Sequence, residues 1–131
     1  PESALALIIV LDQFPRNMFR ASAKAFVADR QAQAVAERFV ANGWDRMLKP
    51  AQRWFAYLPF EHAESLPMQE RSLQLFATLA DDPGSASAID YARRHHEIIA
   101  RFGRFPHRNA ILGRDSTPEE LEFLKQPGSG F

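Results

Sequence analysis

The sequence predicts an all-α fold of about six helices with short connections, packed as antiparallel pairs around a core rich in phenylalanine. Apolar residues recur three and four positions apart, and Pro and Gly stand where such stretches begin and end. No run of alternating β-branched residues occurs, and Asn42-Gly43, the one hairpin-like dipeptide, better closes a helix. No 34-residue self-similarity is visible, so a bundle and a stack of helical hairpins both remain open.

Leu5 to Leu11 is apolar on every face, which suits a helix buried among others; the same run is compatible with a buried strand, and the rest of the chain argues against it. Phe14-Pro15 is expected to stop this helix, because the residue before proline is pushed out of helical geometry. A second helix is predicted from Ala23 to Asn42, with Ser22 as N-cap, Phe26, Ala34, Val35 and Phe39 on one face, and Gly43 closing it. A third starts at Pro50, a proline at the first helical position, carries Trp54, Phe55 and Tyr57, and ends at Leu58-Pro59. Met68 to Ala80 aligns Leu73, Phe76 and Leu79, and Asp81-Asp82-Pro83-Gly84 reads as a loop. Ser87 with Asp90 resembles a capping box opening the helix Ala88 to Phe102, whose stripe of Ala88, Tyr91, Ala92, His95, Ile98, Ile99 and Phe102 ends at Gly103. Thr117-Pro118-Glu119-Glu120 starts a last short helix through Leu124.

The 131 residues form one expected domain, long enough to bury a core without disulfide or metal staples. The absence of Cys excludes thiol catalysis, thiolate zinc sites and disulfide frameworks. Ala4 to Leu11 is the longest apolar run, far short of the roughly 20 residues a membrane span needs. Glu2 replaces the basic region of a signal peptide, and a start at Pro1 is read as trimming of an earlier segment. Net charge is zero, yet residues 1–60 and 91–114 are basic whereas 61–90 and 115–131 are acidic. Most of the basic side chains are Arg, whose planar fork suits carboxylate or phosphate. Solvated helix faces explain the same alternation without a ligand.

Phe14-Pro15-Arg16-Asn17 is echoed by Phe105-Pro106-His107-Arg108-Asn109. As structure, Phe packs, Pro breaks a helix, and Arg and Asn satisfy open carbonyls. As function, two similar turns bring Arg16, Asn17, Arg108 and Asn109, with Arg104 and His107 nearby, to one rim that holds an anion bidentately. In Pro59-Phe60-Glu61-His62-Ala63-Glu64, carboxylate and imidazole stand side by side, suited to proton exchange or to capping a helix start. Asp12 falls on the unfavourable end of a helix dipole and calls for a cation, with Arg16 four residues on as first candidate. His95 in an apolar stripe is either a satisfied core residue or a ligand or catalytic group. His96 points elsewhere, and the run His95-His96-Glu97 sends its side chains to different faces, so a haemerythrin-like di-iron site is rejected.

No metal or other cofactor is expected: no metal motif occurs, and an ion would have to be assembled from His62, His95 and His107, which are distant in sequence. Phosphate-loop and serine-elbow motifs are lacking, and the Arg-rich 91–114 segment spreads its charge around a helix, which disfavours nucleic acid.

Three strings, Leu11-Asp12-Gln13-Phe14-Pro15-Arg16-Asn17-Met18-Phe19-Arg20, Tyr57-Leu58-Pro59-Phe60-Glu61-His62-Ala63-Glu64, and Arg101 to Asn109 continuing through Leu112-Gly113-Arg114, resemble the bacterial family called domain of unknown function 924 from about Leu5 to Phe131. The resemblance implies a tetratricopeptide-like helical stack in a cytosolic bacterial protein, opening helices ahead of this sequence, and no known activity. Ala63 departs from the family pattern, which more commonly has Ser.

The leading functional expectation is a small anionic-ligand site, with Arg16, Arg104 and Arg108 holding the anion, aided by Asn17, His107 and Asn109. Glu61, His62, His95 and Asp12 are the candidates for moving a proton. The rival expectation is a protein-interaction scaffold in which these motifs are structural only. Neither involves a membrane or nucleic acid.

Overall fold

Helix α1 spans Glu2–Met18, α2 Asp29–Ala41, α3 Pro50–Glu61, α4 Leu66–Ala77, α5 Ala86–Phe102, α6 Asn109–Leu112 and α7 Pro118–Leu124. This computed structural model describes residues 2–131, and among them no strand occurs. Among the described residues seven α-helices stand where about six were predicted; the single-turn α6 is the addition. Short 3-10 turns at Ala23–Phe26, Trp44–Met47, Pro83–Ser85 and Pro106–Arg108 fill the connections.

Local signals explain most boundaries. Gly43 (φ 71°) and Gly103 (φ 73°) take the left-handed conformation that ends a helix, one that costs a side-chain-bearing residue energy. Thr117 and Glu120 form the predicted reciprocal capping box at α7, and Pro50 opens α3. Three expectations are corrected. Pro15 does not end α1, nor Pro59 α3: each lies within the last turns, where its missing N–H deletes a single helical bond and the helix continues to Met18 and Glu61. The predicted helix 23–42 is split, because Ser22 caps a tight 3-10 turn by accepting from the Lys24 amide, and α2 begins only at Asp29. Ser87 and Asp90 form no box; α5 starts two residues earlier behind Ser85, whose hydroxyl is already donating to Asp82 and accepting from Trp54 Nε1.

Helix α3 is the central element, touching α1, α2, α4 and α5, while α4 lies against α5 and α1 against α2. Its buried side chains Tyr57 and Phe60 meet Ile8, Phe39 and Phe76 in the main core. Burial of each such aromatic contributes about 2 kcal/mol. A smaller cluster of Ile98, Ile99 and Phe105, flanked by Phe102 and Phe123, anchors the C-terminal segments. Between the two clusters the end of α3 is held by Gln69 of α4, whose buried amide donates to the carbonyls of Glu61 and Ala63. That clamp fixes the backbone from which Glu61 and His62 project. No described helix is long and apolar enough to cross a membrane.

Candidate functional site

A cavity of about 630 Å³ opens between the C-terminal half of α1, the Ala23–Phe26 turn, the end of α3, α5 and the Pro106–Arg108 turn. Its walls include Arg16, Phe26, His62, His95, His107 and Arg108. Residues separated by more than ninety positions in the chain thus face one hollow.

His62 caps the C-terminus of α3, and its Nδ1 lies 2.8 Å from Oδ1 of Asp12 on α1. Burial alone would raise the Asp12 carboxyl, but the bond from His62 and the Arg16 charge outweigh it and hold it below the usual carboxylate range. Asp12 is therefore an anion that can only accept, so Nδ1 of His62 carries the hydrogen and Nε2 the lone pair. Burial keeps this imidazole below its ordinary pKa, and hence neutral, despite the attraction of Asp12. His95 repeats the arrangement with a peptide oxygen: its Nδ1 is 2.7 Å from the Tyr91 carbonyl. Burial depresses His95 to about 3. Phe131 stacks on its ring at 3.7 Å between centroids, with Phe105 edge-on, so this imidazole sits in an aromatic sandwich.

Glu61 projects toward both histidines, with Oε2 at 3.9 Å from His62 Nε2 and Oε1 at 4.0 Å from His95 Nδ1. Burial, reinforced by the Asp12 charge, pushes Glu61 up to about 8. A protonated carboxyl beside two neutral imidazoles is equipped to exchange a proton with a bound molecule.

The arginines divide into spent and available. Arg16 grips Asp29 with both terminal nitrogens, at 2.8 and 3.0 Å, and also reaches the predicted partner Asp12 at 3.2 Å. Its fork is consumed by the fold. Arg104 does not reach the cavity: it is paired bidentately with Glu120 and donates to the Asp115 carbonyl. Asn109 likewise turns inward, bonding Ser116 and Glu120 and accepting from Arg114. Both therefore leave the expected anion-binding set. Arg108 differs. Its guanidinium lies between the rings of Phe26 (4.3 Å) and Phe105 (4.7 Å), with Nη2 donating to the His62 carbonyl at 3.0 Å. Its Nη1 makes no hydrogen bond among the described residues and stays 3.9 Å from carboxylates of both Asp29 and Glu64. Burial lowers Arg108 to about 10, and its Nε is buried without a partner, so this side chain calls for an acceptor. His107, pushed down by burial to about 4, has an unpartnered Nδ1 nearby. Asn17 remains exposed on the rim.

The two Phe-Pro segments are not equivalent turns. Phe14 is 51% exposed on a helix that continues past Pro15, whereas Phe105 is fully buried and leads into a 3-10 turn. What the echo shares is only that each delivers an Arg toward Asp29.

The family of bacterial proteins of unknown function termed DUF924 matches residues 1–128. The chain belongs to this family. Its structure is similar to that of ATU0120, a protein of unknown function from Agrobacterium tumefaciens, at 43% identity and a TM-score of 0.88, over 95% of this chain and 68% of that one. A comparison with curated proteins finds no match. In this DUF924 chain the three strings that carry the family resemblance come together at the cavity from α1, the α3–α4 junction and the Pro106–Arg108 turn. Residue reading passed over Arg20, which lines the cavity mouth, and the pair Glu64 and Arg114, joined bidentately at 2.9 and 3.0 Å. Both lie inside those strings, so the signal was present. Gln69 carried no such signal, because a buried amide that collects carbonyls is invisible without the fold.

Proposed function

We propose that this cavity binds a small organic anion with an apolar body, and that Glu61, His62 and His95 supply proton transfer to it. One observation carries the reading: a 630 Å³ hollow gathers an arginine with an unsatisfied terminal nitrogen and two imidazoles from separate elements, beside apolar walls of Leu58, Ile111 and Phe26. The apolar walls take the body of the ligand, and Arg108, with Arg20 and His107, takes its charge. Asp12 acts as a positioning residue that fixes the His62 tautomer. Thermal denaturation with phenyl phosphate, and with neutral benzyl alcohol as control, tests it. Phenyl phosphate raises the melting temperature of the wild type and not of Arg108→Met, which keeps the stem between Phe26 and Phe105. An equal response to both compounds overturns the reading.

A second reading, an interaction scaffold of tetratricopeptide-like type, draws on a different face. Leu7, Val10, Phe14 and Met18 are exposed at helical spacing along α1. Such a ridge fits the apolar stripe of an amphipathic partner helix. Met18→Glu with Val10→Glu abolishes that association and leaves phenyl phosphate binding intact; loss of both ties the two readings together.

A further inference from the structure

Glu61, His62 and His95 each offer a ligand atom, and the three atoms lie within 4.8 Å of one another. Two come from the end of α3 and one from the middle of α5, so the cluster is made by tertiary packing and not by a local run. We propose that these residues form a binding site for a divalent first-row transition metal, a two-histidine, one-carboxylate set whose two histidines line the cavity.

The donors fit that class of ion. Two imidazoles and one carboxylate suit zinc, iron, cobalt or nickel, whereas calcium and magnesium prefer sets of oxygen atoms. His62 already has the support that metal-bound histidines show: Nδ1 donates to the Asp12 carboxylate at 2.8 Å, and Nε2, facing Glu61, has no hydrogen-bond partner among the described residues. The Glu61 side chain likewise makes no hydrogen bond among the described residues, although its carbonyl is clamped by Gln69. The buried Glu61 carboxyl stands between two imidazoles, with the Nε2 lone pair of His62 turned toward it, an arrangement that a cation stabilises.

Ligand atoms around an ion bound at about 2.1 Å stand roughly 3.4 Å apart in tetrahedral geometry, so the cluster must contract by up to about 1.4 Å. Glu61 has the freedom to supply most of it. His95 joins by exchanging the Nδ1 bond to the Tyr91 carbonyl for the ion while its ring proton moves to Nε2. The Tyr91 carbonyl keeps its helical bond within α5. Three protein ligands leave at least one position open toward the cavity, as in sites where a metal takes up water or substrate.

The site shares a cavity with the anion reading but does not rest on it, and one experiment separates them. Cobalt(II) is titrated into the full chain, freed of metal by chelator, at pH 7.5. The visible absorption and the melting temperature are followed. One equivalent binds, and Glu61→Gln, which keeps the size and shape of the side chain, weakens binding by at least about 100-fold; His96→Ala changes nothing. Absence of stoichiometric binding, equal binding by Glu61→Gln, or loss in His96→Ala each overturns the metal site. Phenyl phosphate is titrated in parallel with chelator present: binding there sustains the anion reading even where cobalt fails, and its failure leaves a positive cobalt result standing.

Discussion

Nδ1 of His62 meets Oδ1 of Asp12 at 2.8 Å, joining residues fifty positions apart in the chain. The bond links α1 to the end of α3 and sets which nitrogen of His62 faces the cavity. Asp12 also accepts from Arg16 and from the Gln13 side-chain amide, so one buried carboxylate satisfies three partners. Asp12→Ala leaves a buried imidazole and a guanidinium short of an acceptor and destabilises the fold by about 2–4 kcal/mol, measured by urea denaturation. A change under 0.5 kcal/mol shows that the pair does not hold the helices together.

Glu64 accepts two bonds from Arg114 and one from the Phe105 amide, which fastens the Pro106–Arg108 turn to the α3–α4 junction. Arg114→Met removes the fork and retains the stem. It costs about 2 kcal/mol. It also loosens the Arg108 side chain, so proteolysis within 103–116 accelerates; unchanged cleavage contradicts this role.

Gln69 is fully buried and its amide nitrogen serves the carbonyls that α3 leaves open. Gln69→Leu preserves volume and strands those carbonyls, lowering stability by about 2–3 kcal/mol. Equal chemical-denaturation midpoints for variant and wild type exclude the clamp.

Stability of the metal-free protein peaks near pH 6.5, by the following signs. His95 and His107 are depressed to about 3 and 4, and His62 is lowered too, so below their ordinary pKa near 6.5 the unfolded chain binds protons that the folded one refuses. Stability therefore falls as pH drops from there. Glu61 runs the other way: from about 4.5 to 8 the folded state holds a proton the unfolded state has lost, so stability falls as pH rises. Between 4.5 and 6.5 the effects oppose; between 6.5 and 8 Glu61 acts alone, with a slope up to about 1.4 kcal/mol per pH unit. Asp12 and Arg108, charged groups of the same cluster, stay ionised throughout that window. Denaturation at pH 6.5 and 8 in wild type and Glu61→Gln checks it: the variant loses the alkaline decline, and a decline that persists refutes the assignment.

What was legible in the sequence is what short-range physics decides. Pro50, Gly103 and the Thr117–Glu120 box mark helix ends because the capping groups sit within three residues of the backbone they serve. Pro15 and Pro59 misled because a proline in a last turn breaks one bond and not the helix, a difference set by packing around it. The Asp12–Arg16 pair was readable from its spacing of four. The fates of Arg104, Arg108 and Asn109 were not, since one motif string sends Arg104 and Asn109 to the Glu120 network and Arg108, with His107, to the cavity. The approach of Glu61 to His95 depends on how α3 lies against α5, which no spacing along the chain encodes.

The most direct measurement is a nuclear magnetic resonance titration of the chain with phenyl phosphate, following the arginine Nε–H and histidine imidazole signals. Saturable shifts of Arg108 and His62, with Arg104 unmoved, are the predicted result. Shifts confined to Arg104 and other surface arginines, or a linear drift without saturation, contradict a shared anion site.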